Sequence, residues 1–187
     1  MKELSLNILD ITENSVKAGA TLTEIKVNED NDSLVITISD NGCGMPPDVV
    51  ESVTNPFYTT RTTRKVGMGI PLFKLAAEQT GGSLTISSKT KEDHPEKHGT
   101  VIVARFNKNH IDFTPLGDLV STVQTLIQGH PDVDFLFIHE KNGGRVELDT
   151  REVRAVLEDI PLNSYDVIKW IGDELTEQYG AAFDFDF

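Results

Sequence analysis

Leu4, Ile8 and Ile11 recur at helical spacing with Ser15, and neither Pro nor Gly interrupts before Gly19, so the pattern predicts one helix over about residues 3–18. Ile25 and Val27, then Leu34, Ile36 and Ile38, alternate with polar residues on either side of the turn EDND, which predicts a strand hairpin over 23–28 and 33–39. Pro46-Pro47 opens a short helix near 47–53, and the Thr-rich, Arg-containing stretch from Pro56 to Gly69 has no periodicity and reads as a loop. Leu72, Leu75, Ala76 and Gln79 fit a helix with Pro71 in its first turn and Gly81-Gly82 past its end. SLTISS and TVIVARF are two further strands, and the charged run KTKEDHPEKHG between them is the tip of a long hairpin. The first region is therefore α+β, with four strands and three helices.

Beyond Pro115 the pattern continues. Leu119, Val123, Leu126 and Ile127 mark an amphipathic helix, and DFLFIHE and RVELD flank Asn142-Gly143, a strong hairpin turn. Asp149 or Thr150 with Glu152 caps the next helix, and a last helix over about 164–178 carries Val167, Ile168, Trp170, Ile171 and Leu175. Phe183, Phe185 and Phe187 fall in a tail expected to fray.

Charge divides the chain. Its net charge of -13 is uneven: residues 1–109 hold 12 Lys+Arg and 14 Asp+Glu, whereas residues 110–187 hold 5 and 16. That shift places a seam around Asn107 to Pro115 and suggests a domain over 1–109 followed by a small acidic α/β appendage over 110–187, with partner binding or dimerisation as its expected use. The acidic balance opposes a phosphate backbone, so nucleic acid is not an expected partner. No apolar run reaches the length of a membrane span and the start carries acids, so no membrane partner is expected and a cytoplasmic location is. The single cysteine, Cys43, forms no internal disulfide and agrees with a reducing compartment.

The chemistry lies in four separated stretches. GxxxxGK[ST] is absent, and Gly67-Met68-Gly69 lacks the spacing of a dinucleotide fingerprint. On the first helix Asp10, Asn14 and Lys17 stand four and three residues apart and share a face. Asp40-Asn41-Gly42-Cys43-Gly44-Met45 follows a strand directly; alone, this is also the composition of a tight turn. Asn55-Pro56-Phe57-Tyr58-Thr59-Thr60-Arg61 comes third, and Gly67-Met68-Gly69-Ile70 leads into the helix at Pro71. His94 and His98 sit in a charged loop interrupted by Pro95 and are read as surface residues, not metal ligands. His139-Glu140 lies on a strand, unlike a phospho-accepting kinase histidine, and no dimerising bundle precedes residue 1, so autophosphorylation in cis is not expected.

Together and in this order, these stretches resemble the histidine-kinase-like (GHKL, Bergerat-fold) ATPase superfamily of sensor-kinase catalytic domains, gyrase and MutL, over about Lys2 to Lys108. The resemblance implies a stand-alone ATP-binding domain built as a two-layer α/β sandwich. It implies that Asn14 ligates Mg2+ and that Asp10 holds the place of the water-orienting glutamate, one methylene short, with Glu13 as a substitute carboxylate. Lys17 would touch phosphate, a sensor-kinase trait, although the sequence AGAT is MutL-like. Asp40 would accept the adenine amino proton, with Gly42, Gly44 and Met45 against the ring and the Thr100 hydroxyl supporting the carboxylate. Phe57, Thr59, Thr60, Arg61 and Lys65 would belong to a nucleotide-ordered lid, and Gly67, Met68, Gly69 and Ile70 to the phosphate-binding helix start. The implied function is that of a Mg2+-dependent, ATP-binding regulatory protein in signal transduction, through phosphotransfer to a protein (a kinase, hence a transferase) or slow hydrolysis. A nonenzymatic ATP-gated switch that docks a protein is the alternative.

Overall fold

The protein was analysed as a computed structural model, which describes residues 3–54 and 68–183. Its elements run α1 (Leu4–Lys17), β1 (Leu22–Glu29), β2 (Ser33–Asp40), α2 (Pro47–Val53), α3 (Gly69–Gln79), β3 (Ser83–Lys89), β4 (Gly99–Asn107), α4 (Leu119–Gly129), β5 (Asp134–Lys141), β6 (Gly144–Asp149), α5 (Thr150–Leu157) and α6 (Tyr165–Ala182). Each predicted element is present. Period-two alternation becomes a buried face: Leu34, Ile36 and Ile38 of β2 are buried while Val35, Thr37 and Ser39 between them are half-buried.

The six strands form one sheet in the order β3-β4-β2-β1-β5-β6. All neighbours are antiparallel except β1 and β5, which run parallel with Ile25 opposite Phe137. α3, α1, α4 and α6 pack side by side in that order, and their buried faces share one apolar cluster with the sheet. Leu4, Ile8 and Ile11 of α1, Phe73 of α3, Ile127 of α4 and Ile171 of α6 are all essentially inaccessible.

The charge seam does not interrupt this sheet, because β5 pairs along the whole of β1. The seam segment is also stitched to the first helix. Pro115 and Leu116 offer carbonyls to the amides of Leu4 and Ser5 at 2.9 and 2.8 Å, satisfying first-turn donors that no side chain of the N-cap residue, Glu3, reaches. The two charge regions thus share a sheet and a core.

A polar cluster sits among the apolar residues near the C-terminal ends of β1 and β5. Buried His139 contacts Tyr179 Oη at 2.9 Å through Nδ1 and Glu29 Oε1 at 3.2 Å through Nε2, and Lys108 reaches Glu29 at 2.9 Å. Phe183 packs edge-on to His139, with ring centroids 4.9 Å apart, so this part of the expected frayed tail is held; Phe185 and Phe187 lie outside the described residues. Burial pushes the Glu29 carboxyl up, but hydrogen bonds from His139 and Lys108 and the charges of Lys141 and Lys108 outweigh it, leaving the pKa at about 2. Burial, helped by the Glu29 charge, holds the Tyr179 phenol above its ordinary range. Because the Glu29 pKa is depressed on folding, its contribution is full above its ordinary value of 4.5 and fades as pH falls from there toward 2. Thermal unfolding should therefore show Glu29→Gln less stable than the parent at pH 7 and the difference shrinking between those pH values. A constant difference would remove Glu29 from the acid response.

Candidate nucleotide site

Asp40 ends β2 beside Thr100 of β4 and Thr23 of β1. Three donors orient its carboxylate: Ser15 Oγ donates to Oδ2 at 2.7 Å, while the amides of Gly42 and Thr100 donate to Oδ1 at 2.9 and 3.2 Å. A carboxylate offers about four lone-pair directions, so one acceptor position remains. Thr100 supports Asp40 through its backbone, which corrects the expected hydroxyl contact. Its Oγ1 instead lies 2.8 Å from Ser88 Oγ, which also accepts the Met45 amide at 2.8 Å.

The turn after Asp40 is packed on three sides. Gly44 has φ +71°, and a β-carbon there would overlap the Lys89 carbonyl; at Gly42 it would stand 3.0 Å from the Ala18 side chain and 3.1 Å from Asp40 Oδ1. Asn41 performs turn chemistry, its Oδ1 accepting the amides of Thr21 and Leu22. The turn reading of this stretch thus holds for Asn41, while the Asp40 carboxylate turns to Ser15 of α1 and to the Gly42 and Thr100 amides. His98 from the β3–β4 connection brings Nδ1 to within 2.5 Å of the Gly42 carbonyl, and Lys91 donates its amide to the Cys43 carbonyl at 2.9 Å. A residue read as plain surface thus braces the turn. Cys43 is exposed.

On α1, Asp10 and Asn14 face the beginning of α3. A β-carbon on buried Gly69 would lie 3.2 Å from Asp10 Cβ and 3.9 Å from Asn14 Nδ2. Among the described residues no side chain caps α3, whose N-cap is Met68; a helix start carries free amides and the positive end of the dipole, which suit an anion. Met68 is exposed, whereas the Ile70 side chain is buried in the core and only its backbone can serve a ligand. Lys17 is exposed in the last turn of α1. Glu13 does not join this group: it faces α4 and sits 2.7 Å from His130 Nε2, because its position on the helix is turned away from Asn14. Phe57, Thr59, Thr60, Arg61, Lys65 and Gly67 lie outside the described residues.

One helix therefore ties two clusters together. Ser15 holds Asp40 at the strand end, and its neighbour Asn14 meets the α3 start. Ser15, Ser88 and His98 were missed by sequence reasoning. Ser15 could have been found from its place beside Asn14, but Ser88 and His98 depend on strand pairing. The donor set suits Mg2+, which takes hard oxygen ligands, needs only one or two from protein and shares the rest with phosphates and water. Asn14 supplies such an oxygen, with the Asp10 carboxylate on the same helix face.

Comparison with known proteins shows the family of the chain. The chain is 32% identical over 109 residues to a putative sensor histidine kinase NtrY-like protein of Rickettsia bellii, covering 57% of this chain and 17% of that one. It is 30% identical over 108 residues to sporulation kinase A of Bacillus subtilis, covering 58% and 16%. The chain thus spans about one-sixth of the length of these relatives. In fold it resembles the MutL ATPase domain of Aquifex aeolicus, solved in complex with ADP, at 15% identity and a TM-score of 0.54, over 95% of this chain and 70% of that one. The N-terminal domain of a DNA repair protein gives 0.55, also at 15% identity, over 80% and 53%. Residues 2–110 match the family described as histidine kinase-, DNA gyrase B- and HSP90-like ATPase, and the chain belongs to that family of ATP-binding domains.

Proposed function

We propose that this chain is a Mg2+-dependent, ATP-binding regulatory protein of the cytoplasm that passes the γ-phosphoryl group to a separate protein or, slowly, to water. The observation that carries this reading is the Ser15–Asp40 hydrogen bond, which ties the strand-end Asp40 carboxylate, with one free acceptor position, to the helix that bears Asn14 and Asp10. Asp40 would take the adenine amino proton in a hydrogen bond, and the α3 amides would receive phosphate oxygens. Mg2+ held by Asn14 would neutralise charge on the β- and γ-phosphates. In the transfer, the bond from the γ-phosphorus to the β–γ bridging oxygen breaks and one to the acceptor oxygen or nitrogen forms. ADP leaves, and Asp10 would accept the proton of the attacking group.

Sensor-kinase relatives support the phosphotransfer branch. A second reading, an ATP-gated switch whose partner is a protein, is favoured by the engagement of Glu13 with His130, which leaves the shorter Asp10 as the acid on the α3-facing side of α1.

Calorimetry with ATP, with and without Mg2+, and phosphate release on the same samples test the site. Asn14→Ala should retain nucleotide binding but lose most of the gain from Mg2+. Asp10→Asn should lower phosphate release at least about 100-fold, the lower end of the range for a lost general base, while Glu13→Gln changes it less than about threefold. Equal loss in the Asp10 and Glu13 variants would reject the assignment of Asp10. Unchanged Mg2+ dependence in Asn14→Ala would reject that of Asn14.

A further inference from the structure

We propose that a groove between α5 and α6, at the edge of the sheet away from the nucleotide site, receives a basic amphipathic helix from a partner protein. The groove has a volume of about 510 Å3, and Leu148 of β6, Val153, Val156 and Leu157 of α5 and Trp170 of α6 supply its apolar surface. Val156 is 82% and Trp170 50% exposed, an arrangement that water disfavours. α5 is short and amphipathic, with these valines and leucine on one side; the core does not take up that side fully.

Charge decides the kind of occupant. Glu147, Asp149, Glu152 and Glu174 line the groove, and among the described residues no Lys or Arg does. Glu147 and Asp149 are matched by Arg145 and Arg151, but among the described residues no ion pair involves Glu152 or Glu174. Glu152 stands on the α5 wall and Glu174 on the α6 wall, so a ligand with an apolar ridge flanked on both sides by Lys or Arg meets both. The surrounding region, residues 110–187, carries 16 Asp+Glu against 5 Lys+Arg, which opposes a second copy of this chain and an anionic lipid surface alike.

Backbone chemistry decides the shape. An extended peptide would have to add to the free edge of β6, but the Glu147 amide on that edge already donates to Gln178 Oε1 of α6 at 2.8 Å. A helix laid between α5 and α6 leaves that bond intact.

Trp170 is the chain's one tryptophan, so its emission reports the groove directly. The whole chain, without nucleotide, is titrated with a synthetic helix of roughly 18 residues carrying a leucine ridge flanked by lysines, long enough to be helical once docked. Parallel titrations use the same ridge flanked by glutamates, a lysine helix lacking the ridge, and phosphatidylglycerol vesicles. The expected result is a saturable emission change with the first peptide alone, weakened at least tenfold both by Glu152→Lys with Glu174→Lys and by Val156→Asp, and weakened by salt. Val156 is exposed enough for its variant to keep the parent Tm. Equal response to the lysine helix, to the glutamate-flanked ridge or to vesicles would overturn the proposal. So would a concentration-dependent dimer that Val156→Asp abolishes. With no nucleotide in the cell, failure here leaves the ATP reading untouched.

Discussion

Asp40→Ala is expected to weaken ATP binding by at least about 100-fold, on the order of 3 kcal/mol, the largest effect of any single side chain in the site. The size follows from what the carboxylate does twice over. In the proposed site it would offer a charged acceptor to adenine, and it gathers Ser15 Oγ and the Gly42 and Thr100 amides at 2.7 to 3.2 Å. Removing it leaves buried Ser15 and those two amides without their acceptor, so part of the loss could come from a disturbed turn. Asp40→Asn separates the causes. The carboxamide keeps one carbonyl for the two amides and lets Ser15 accept instead of donate, so its Tm should stay within a few degrees of the parent. Binding should still fall at least about tenfold, because an amide donor now stands where adenine also donates. Calorimetry on both variants, with unfolding curves alongside, measures this. A folded Asp40→Asn protein with parental ATP affinity would place the base elsewhere.

Gly99→Ala should destabilise the fold by about 3 kcal/mol or more, in the upper tail for single substitutions. Gly99 opens β4 at φ +129°, a region an L side chain rarely enters, and its β-carbon would overlap the Asp40 carbonyl oxygen. The obstacle is backbone of the neighbouring strand, so relief requires β2 and β4 to part where Thr100 supports Asp40. Urea unfolding gives the stability and calorimetry the coupled loss of ATP binding. A change below about 1 kcal/mol would show that the strand ends give way easily and that the Thr100 amide does not fix the Asp40 carboxylate.

The proposed site was partly legible in the sequence. Asp40, Asn14 and Asp10 stand out because short motifs carry them, and the helix spacing that unites Asp10 with Asn14 is a local property of α1. The same spacing turned Glu13 aside, but that it meets His130, 117 positions later, depends on how α4 lies against α1. The Thr100 contact was misjudged in detail for a related reason. The register of β4 on β2 sets Thr100 beside Asp40, and the register of β3 on β4, which puts Ser88 opposite Thr100, sends the hydroxyl to Ser88 instead.

By itself, then, the chain's sequence determined its elements and singled out the motifs from which the nucleotide site is proposed. Alternation, capping and glycine punctuation act within a few residues and need no distant partner. Tertiary structure alone decided that β5 pairs parallel with β1, joining residues beyond the charge seam to the same sheet, and that His98 and Ser88 brace the turn after Asp40. It also set Glu152 and Glu174 on facing walls of one groove. Such contacts join segments far apart in the chain, and their geometry comes from packing one buried face against another, a choice no local pattern encodes.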